Sequence, residues 1–275
     1  MEENIQIQRG GIPTTPPQTQ HKGFDFPTQV ISLPSEGKVY PQSNPLSSGK
    51  VEIKYLTAKE EDILADRNLI NKGVVLDKLL ESIVVQQGVN SDDLVVGDKN
   101  AIYLAARVLG YGAGYDVEIT DPFSGERQKI TIDLSAVETK DIDYSLLSPE
   151  NRYSYELPSG TKIVFKLLTH KDEKDINNEI KALERLTKGK AVSSEVTTRL
   201  KYMIVSVNDN SDRGYVNGWV SNQFLAKDVK AFRNYIKSIS PDLDMKFQFT
   251  SDITGETEAL DIPFGIDFFY PSNWL

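Results

Sequence analysis

The 275-residue chain contains no cysteine. That excludes disulfides, thiolate nucleophiles and cysteine-ligated zinc. Histidine occurs only as His21 and His170. A general base needs a positioned partner, and the sequence shows none beside either one. No apolar run approaches the ~20 residues of a membrane span. The first residues, MEENIQIQRGG, lack the basic and apolar regions of a secretory signal. The net charge of −9 argues against non-specific nucleic-acid binding, which needs clustered Lys and Arg. A cytosolically assembled protein is the expectation. Walker loops and nucleophile-elbow sequences are also missing. Gly110–Gly114 is glycine-rich but follows a helical pattern, where a dinucleotide loop must follow a strand. Asn208–Gly214 begins like a calcium loop, yet Arg213 stands where glycine is needed and Trp219 where the closing Glu belongs. No enzyme activity, cofactor or metal is expected.

What the chain does contain is a phrase stated twice. Lys54-Tyr-Leu-Thr-Ala-Lys-Glu-Glu-Asp-Ile63 returns as Lys166-Leu-Leu-Thr-His-Lys-Asp-Glu-Lys-Asp-Ile176. In each, a short strand runs into a threonine with an acid three positions on. Thr57 with Glu60 is a capping box, and Thr169 with Asp172 a shorter-armed relative. The acidic first turns also suit the helix dipole. Three further landmarks repeat in order. Leu33-Pro-Ser-Glu-Gly37 matches Leu157-Pro-Ser-Gly160, and Lys72-Gly73 matches Lys188-Gly189. The turn Thr120–Glu126 matches Thr250–Glu256. Four ordered landmarks imply an internal duplication, with too few copies for a solenoid.

The fold expected is α+β: two tandem, pseudo-symmetric copies of a unit of strands, three helices and a β-hairpin. Residues 1–27 form an extended Pro/Gln-rich arm. The first repeat covers 28–135. In it Val30–Tyr40 reads as strand, tight turn and strand, and a capped helix runs from Thr57 to about Ile70. Leu76, Leu79, Leu80, Ile83 and Val84 make a helical face, and Asp98 caps a third helix. A polar linker spans 136–152. The second repeat, 153–264, includes one long helix capped by Ser221 and stopped by Pro241. An aromatic tail, 265–275, ends the chain. The acids of the repeated phrase are read as capping, solvated charges.

Binding is expected in the parts that do not repeat. Phe24 and Phe26 could anchor the arm, which either docks on a partner or stays free. Phe268, Phe269, Tyr270 and Trp274 crowd the tail, which either completes the second core or inserts into a partner, since aromatics dominate interface hot spots.

Leu33-Pro-Ser-Glu-Gly-Lys-Val-Tyr40, Ile53–Leu64, Asp92-Asp-Leu94 with Gly97-Asp98, and Val117–Glu126 before Ile132-Asp-Leu134 resemble the T4-type phage baseplate protein family, baseplate hub subunits or hub assembly proteins. The resemblance covers about residues 28–135. It implies a non-enzymatic structural component of a contractile-tail baseplate, in its hub or wedge region, connecting neighbouring baseplate proteins. Its other implied role is a transient assembly chaperone that leaves before the virion is finished. It further implies assembly in the host cytoplasm, residence in the virion tail, and a hetero-oligomer within a symmetric assembly, without nucleic acid or membrane. Relatives often carry cysteine in the hairpin turn, sometimes as a zinc-binding-looking pair. Here Asp121 and Ser124 stand in that turn, so zinc is not implied.

Overall fold

The computed structural model describes residues 26–187 and 194–269. The first strand, β1 (Thr28–Ser32), pairs antiparallel with β2 (Lys50–Lys54), Thr28 opposite Lys54 and Ser32 opposite Lys50. This corrects the expected hairpin within Val30–Tyr40. After Leu33, Glu36 and Gly37 adopt positive φ (50° and 78°), and consecutive turns carry the chain to Tyr40. Gly37 is required there, because a Cβ would meet the Ser47 carbonyl oxygen at 2.4 Å. Leu33 then donates to the Gly49 carbonyl, so the Pro-rich loop closes the β1–β2 pair.

After β2, the expected single helix is two, α1 (Ala58–Ala65) and α2 (Arg67–Lys72). Asp66 breaks them: it sits extended and its side chain accepts from the Asn68 and Leu69 N–H groups, an N-cap in mid-pattern. The amphipathic α3 (Val75–Ile83) buries Leu79, Leu80 and Ile83 fully. The longer α4 (Val96–Tyr111) leads into the hairpin β3 (Gly114–Thr120) and β4 (Arg127–Asp133).

The second half begins with β5 (Tyr153–Glu156), antiparallel to β6 (Lys162–Phe165). Helices α5 (His170–Thr187) and α6 (Glu195–Met203) follow. Strand β7 (Ile204–Val207) then adds to the free side of β6. In the first half only an isolated bridge, Ile53 to Val84, occupies the equivalent place. The long helix expected between Ser221 and Pro241 is α8 (Ala226–Ile239), and a helix that the sequence did not suggest, α7 (Arg213–Asn222), precedes it. Ser221 lies in the last turn of α7 instead of capping, and Leu225 precedes α8. The hairpin β8 (Lys246–Thr250) and β9 (Thr257–Asp261) comes last.

One hydrophobic cluster runs through both halves, joining Leu46, Ile53, Leu79 and Leu104 to Phe165, Val207 and Phe232. Residues 136–152 are strapped into this body, not loose between domains. Lys140 donates to the Asp242 carbonyl and Asp244 to that of Glu138, and Val137 is buried. The Tyr144 hydroxyl reaches back to the Pro34 carbonyl at 3.1 Å.

The repeated phrase does more than cap. Glu60 is fully buried, and its carboxylate accepts from Lys54 Nζ (2.7 Å), the Ser82 hydroxyl (2.5 Å) and both the N–H and hydroxyl of Thr57. Burial pushes this carboxyl up, but those donors outweigh it and hold it at about 2. The Asp172 carboxylate has matching donors: Lys166 Nζ (2.6 Å), the Thr169 N–H and the Thr169 hydroxyl. The expectation of solvated charges is therefore corrected at these two positions: each lysine reaches forward six residues to neutralise the acid at its helix start.

Lys54→Met leaves Glu60 buried without its cation and should cost about 3 kcal/mol in urea unfolding. Adding Glu60→Gln should restore most of that loss, because the orphaned charge is then gone while an amide oxygen still accepts from Thr57 and Ser82.

Candidate functional site: the cleft between the halves

Two helix starts meet where the halves join. The Val96 N–H donates to the Leu168 carbonyl (3.2 Å), and the His170 N–H to the Leu94 carbonyl (2.7 Å), with Val95 bridged to Thr169. The residue before each helix thus pairs in a short antiparallel step with its counterpart. At this place α4 also presses Gly97 onto the second half: a Cβ there would stand 1.9 Å from the Pro241 carbonyl oxygen.

Next to Gly97 lies Asp98, which the sequence suggested as an N-cap. It is instead the third residue of α4 and wholly buried. Its carboxylate accepts from the Ser35 N–H (2.9 Å), the Ser35 hydroxyl (2.6 Å) and the Tyr40 hydroxyl (2.6 Å). Burial pushes Asp98 up to about 6 against the pull of these donors, and burial beside Asp98 pushes the Tyr40 phenol far up as well. In the second half the Ser159 N–H donates to Asp228, the third residue of α8, in the same arrangement.

Beside this seam opens a cleft of about 370 Å³, lined by α2–α3, α4 and the first turns of α5. His170 forms part of its floor, only 1 % exposed, and among the described residues neither ring nitrogen has a hydrogen-bond partner. Its Nε2 stands 3.6 Å from the Asp77 carboxylate on α3. The sequence showed no partner for His170, because Asp77 belongs to the other half. Burial, helped by Lys99 and Lys174 nearby, pushes the imidazole down to about 4. Burial pushes the Asp77 carboxyl up. Lys99 is paired with Glu173, and Lys174 with Asp92 at 2.6 Å. Tyr103 and Phe264 form an aromatic wall, their ring centroids 6.2 Å apart.

The aromatic residues expected to meet partners have other positions. Phe268 and Phe269 are fully buried in this chain. They pack edge-on against Tyr115 (5.1 Å between centroids) and Tyr103 (5.9 Å), so they complete the core of the first half, not the second. Burying two phenylalanines stabilises by several kcal/mol, on the order of 2 each, which favours seating them within the chain. Arg107 locks them there. It is buried, donates to the Phe268, Gly112 and Gly114 carbonyls, and lies over the Tyr111 and Tyr115 rings. Phe26 is half-buried with Lys54 Nζ 5.6 Å from its ring centre. Phe24, Tyr270 and Trp274 lie outside the described residues.

The two hairpin turns also meet. Asp121 is buried and accepts from the Phe123 N–H, the Ser124 hydroxyl and, across the halves, the Ser251 hydroxyl at 2.6 Å. Burial pushes its carboxyl up, but Ser251 and the turn's own donors outweigh that and hold it low. Nothing in local sequence marked Asp121, Arg107 or Asp77, since each is defined by a residue far along the chain.

Because the folded imidazole titrates near 4 and the unfolded one near 6.5, the stability gained by keeping His170 neutral is fully present above about 6.5. It is lost as pH falls through about 4. Asp98 works in the opposite sense: its contribution is present below about 3.8 and lost as pH rises through about 6. The comparison with His170→Phe isolates the histidine. The wild type should lose up to about 3 kcal/mol relative to the variant between about pH 7 and pH 4, read from chemical denaturation. Gly97→Ala should cost more than about 2 kcal/mol in the same assay, since backbone must move to admit the methyl.

No curated protein and no solved structure matches the chain. The family model described as T4 bacteriophage base plate protein matches residues 27–269. That span takes in both halves, where the short motifs of the sequence carried the resemblance only through the first. It also covers the seam, the cleft and the buried Phe268 and Phe269. The chain belongs to the T4 bacteriophage base plate protein family.

Proposed function

We propose that the protein is a non-enzymatic structural subunit of a contractile-tail baseplate, in the hub or wedge region, retained in the virion and connecting neighbouring baseplate proteins. The observation that carries this reading is the family match along nearly the whole body. The use made of the buried charges supports it. Glu60, Asp98, Asp121, Asp172 and Asp228 each accept hydrogen bonds that tie one part of the fold to another. A carboxylate that accepts three or more such bonds, as Glu60, Asp98, Asp121 and Asp172 do, is a structural fixture, poorly placed to take or give a proton during a reaction.

The body is two copies of one unit. What supports this is the pairing of detail in both halves: Lys54–Glu60 with Lys166–Asp172, Ser35–Asp98 with Ser159–Asp228, and turns at 121 and 251 closed by the same backbone bonds. Such a body offers neighbouring proteins two similar faces set in fixed relation.

Quantitative mass spectrometry of purified virions tests the reading. The protein should be present in constant proportion to the other baseplate proteins after gradient purification. Presence in assembly intermediates together with absence from finished particles would overturn it in favour of a transient assembly chaperone.

A further inference from the structure

Three carboxylates stand around the cleft, and two of them have a lysine. Glu173 is paired with Lys99 and lies 3.4 Å from Arg199, and Asp92 is paired with Lys174. Among the described residues Asp77 has no ion pair with a lysine or arginine, and Lys99 and Lys174 act on it only at longer range; its near neighbour is His170, at 3.6 Å too far for a direct hydrogen bond. Among the described residues both imidazole nitrogens are unpartnered although the ring is 1 % exposed. Buried polar groups are rarely left so. The floor therefore presents a carboxylate that accepts no hydrogen bond among the described residues, beside an imidazole that is itself closed to solvent.

The surroundings restrict the donor that this carboxylate would take. An anion is disfavoured, because both lysines of the cleft are already neutralised. Among the described residues no group of three acidic or histidine side chains is placed to hold a metal ion. One side of the cleft is apolar or aromatic, with Ile70, Leu76 and a Phe264 that is 37 % exposed, and the other is lined by Asn100, Asn177 and the paired lysines. The complement is a cation with several N–H donors in one plane, a flat face for the Phe264 ring and an aliphatic stem. A guanidinium has those properties, and an ammonium lacks the plane and the fork.

We propose that this cleft is the seat of an arginine side chain from a neighbouring baseplate protein, its fork bonded by the Asp77 carboxylate next to His170 and its flat face packed against Phe264. The proposal rests on the structural role above, but its test does not use the virion, so either can fail alone. The seat lies at the junction of α3, α4 and α5, so an arriving arginine touches both halves at once. It gives Asp77 the direct ion pair that it lacks among the described residues, and its recognition depends on the halves being correctly joined.

The chain's two histidines make the test direct. In full-length protein labelled with 13C-histidine, the ring signal lost in His170→Phe is that of His170. Titration with N-acetyl-arginine N-methylamide should shift that signal in a saturable way and leave His21 unmoved. The citrulline analogue, with the same shape but no charge, should bind at least about ten-fold more weakly. Asp77→Asn, checked for an unchanged fold by its circular dichroism spectrum and unfolding midpoint, should lose affinity by a similar factor. The proposal is overturned if citrulline binds as well as arginine, if no saturable shift occurs at millimolar concentrations, or if Asp77→Asn binds undiminished.

Discussion

The antiparallel step between residues 94–96 and 168–170 is the contact on which the rest of the fold depends. It places the N-termini of α4 and α5 side by side and spends otherwise unpaired backbone groups on one another. Because the step is backbone to backbone, Gly97 and Pro241 must approach within a distance that admits no side chain. Everything between the halves follows from this register. Lys99 meets Glu173, Lys174 meets Asp92, Asn100 meets Asp242, and the cleft opens where α3 passes the first turn of α5.

Much of the local structure was legible because it is written in short-range chemistry. The apolar spacing of α3 and the turn residues at 121–126 and 251–256 name their own elements. Thr57 and Thr169 likewise mark their helix starts. The errors arose where a distant residue decides. Val30–Tyr40 looks like a hairpin, but Leu33 is claimed by Gly49 and the strand partner lies beyond the Pro-rich loop. Asp98 looks like a cap, but Ser35 and Tyr40 turn it into an acceptor inside the core.

The tail shows the same limit at the level of function. Its aromatic density gave no means of choosing between a partner and the chain's own core. The choice is made by Arg107, whose planar donors reach the carbonyls of Phe268, Gly112 and Gly114 together. For the site, the sequence gave no view of Asp77 or Tyr103 beside His170. Asp77, Tyr103, His170 and Phe264 come from four different stretches of chain and meet only in the folded cleft.

The meeting of the two hairpin turns has a consequence for which surfaces can pair. The turns are nearly alike in sequence, yet one brings an acid, Asp121, and the other a hydroxyl, Ser251. Two acids there would repel at close range, and two hydroxyls would bind only as a weaker neutral pair. The acid–hydroxyl pair makes the contact sided, like a lock with one key. The turn carrying Asp121 therefore pairs better with the turn carrying Ser251 than with its own like. The contact fixes which turn faces which, so the two look-alike turns cannot trade places without losing a charge-assisted hydrogen bond.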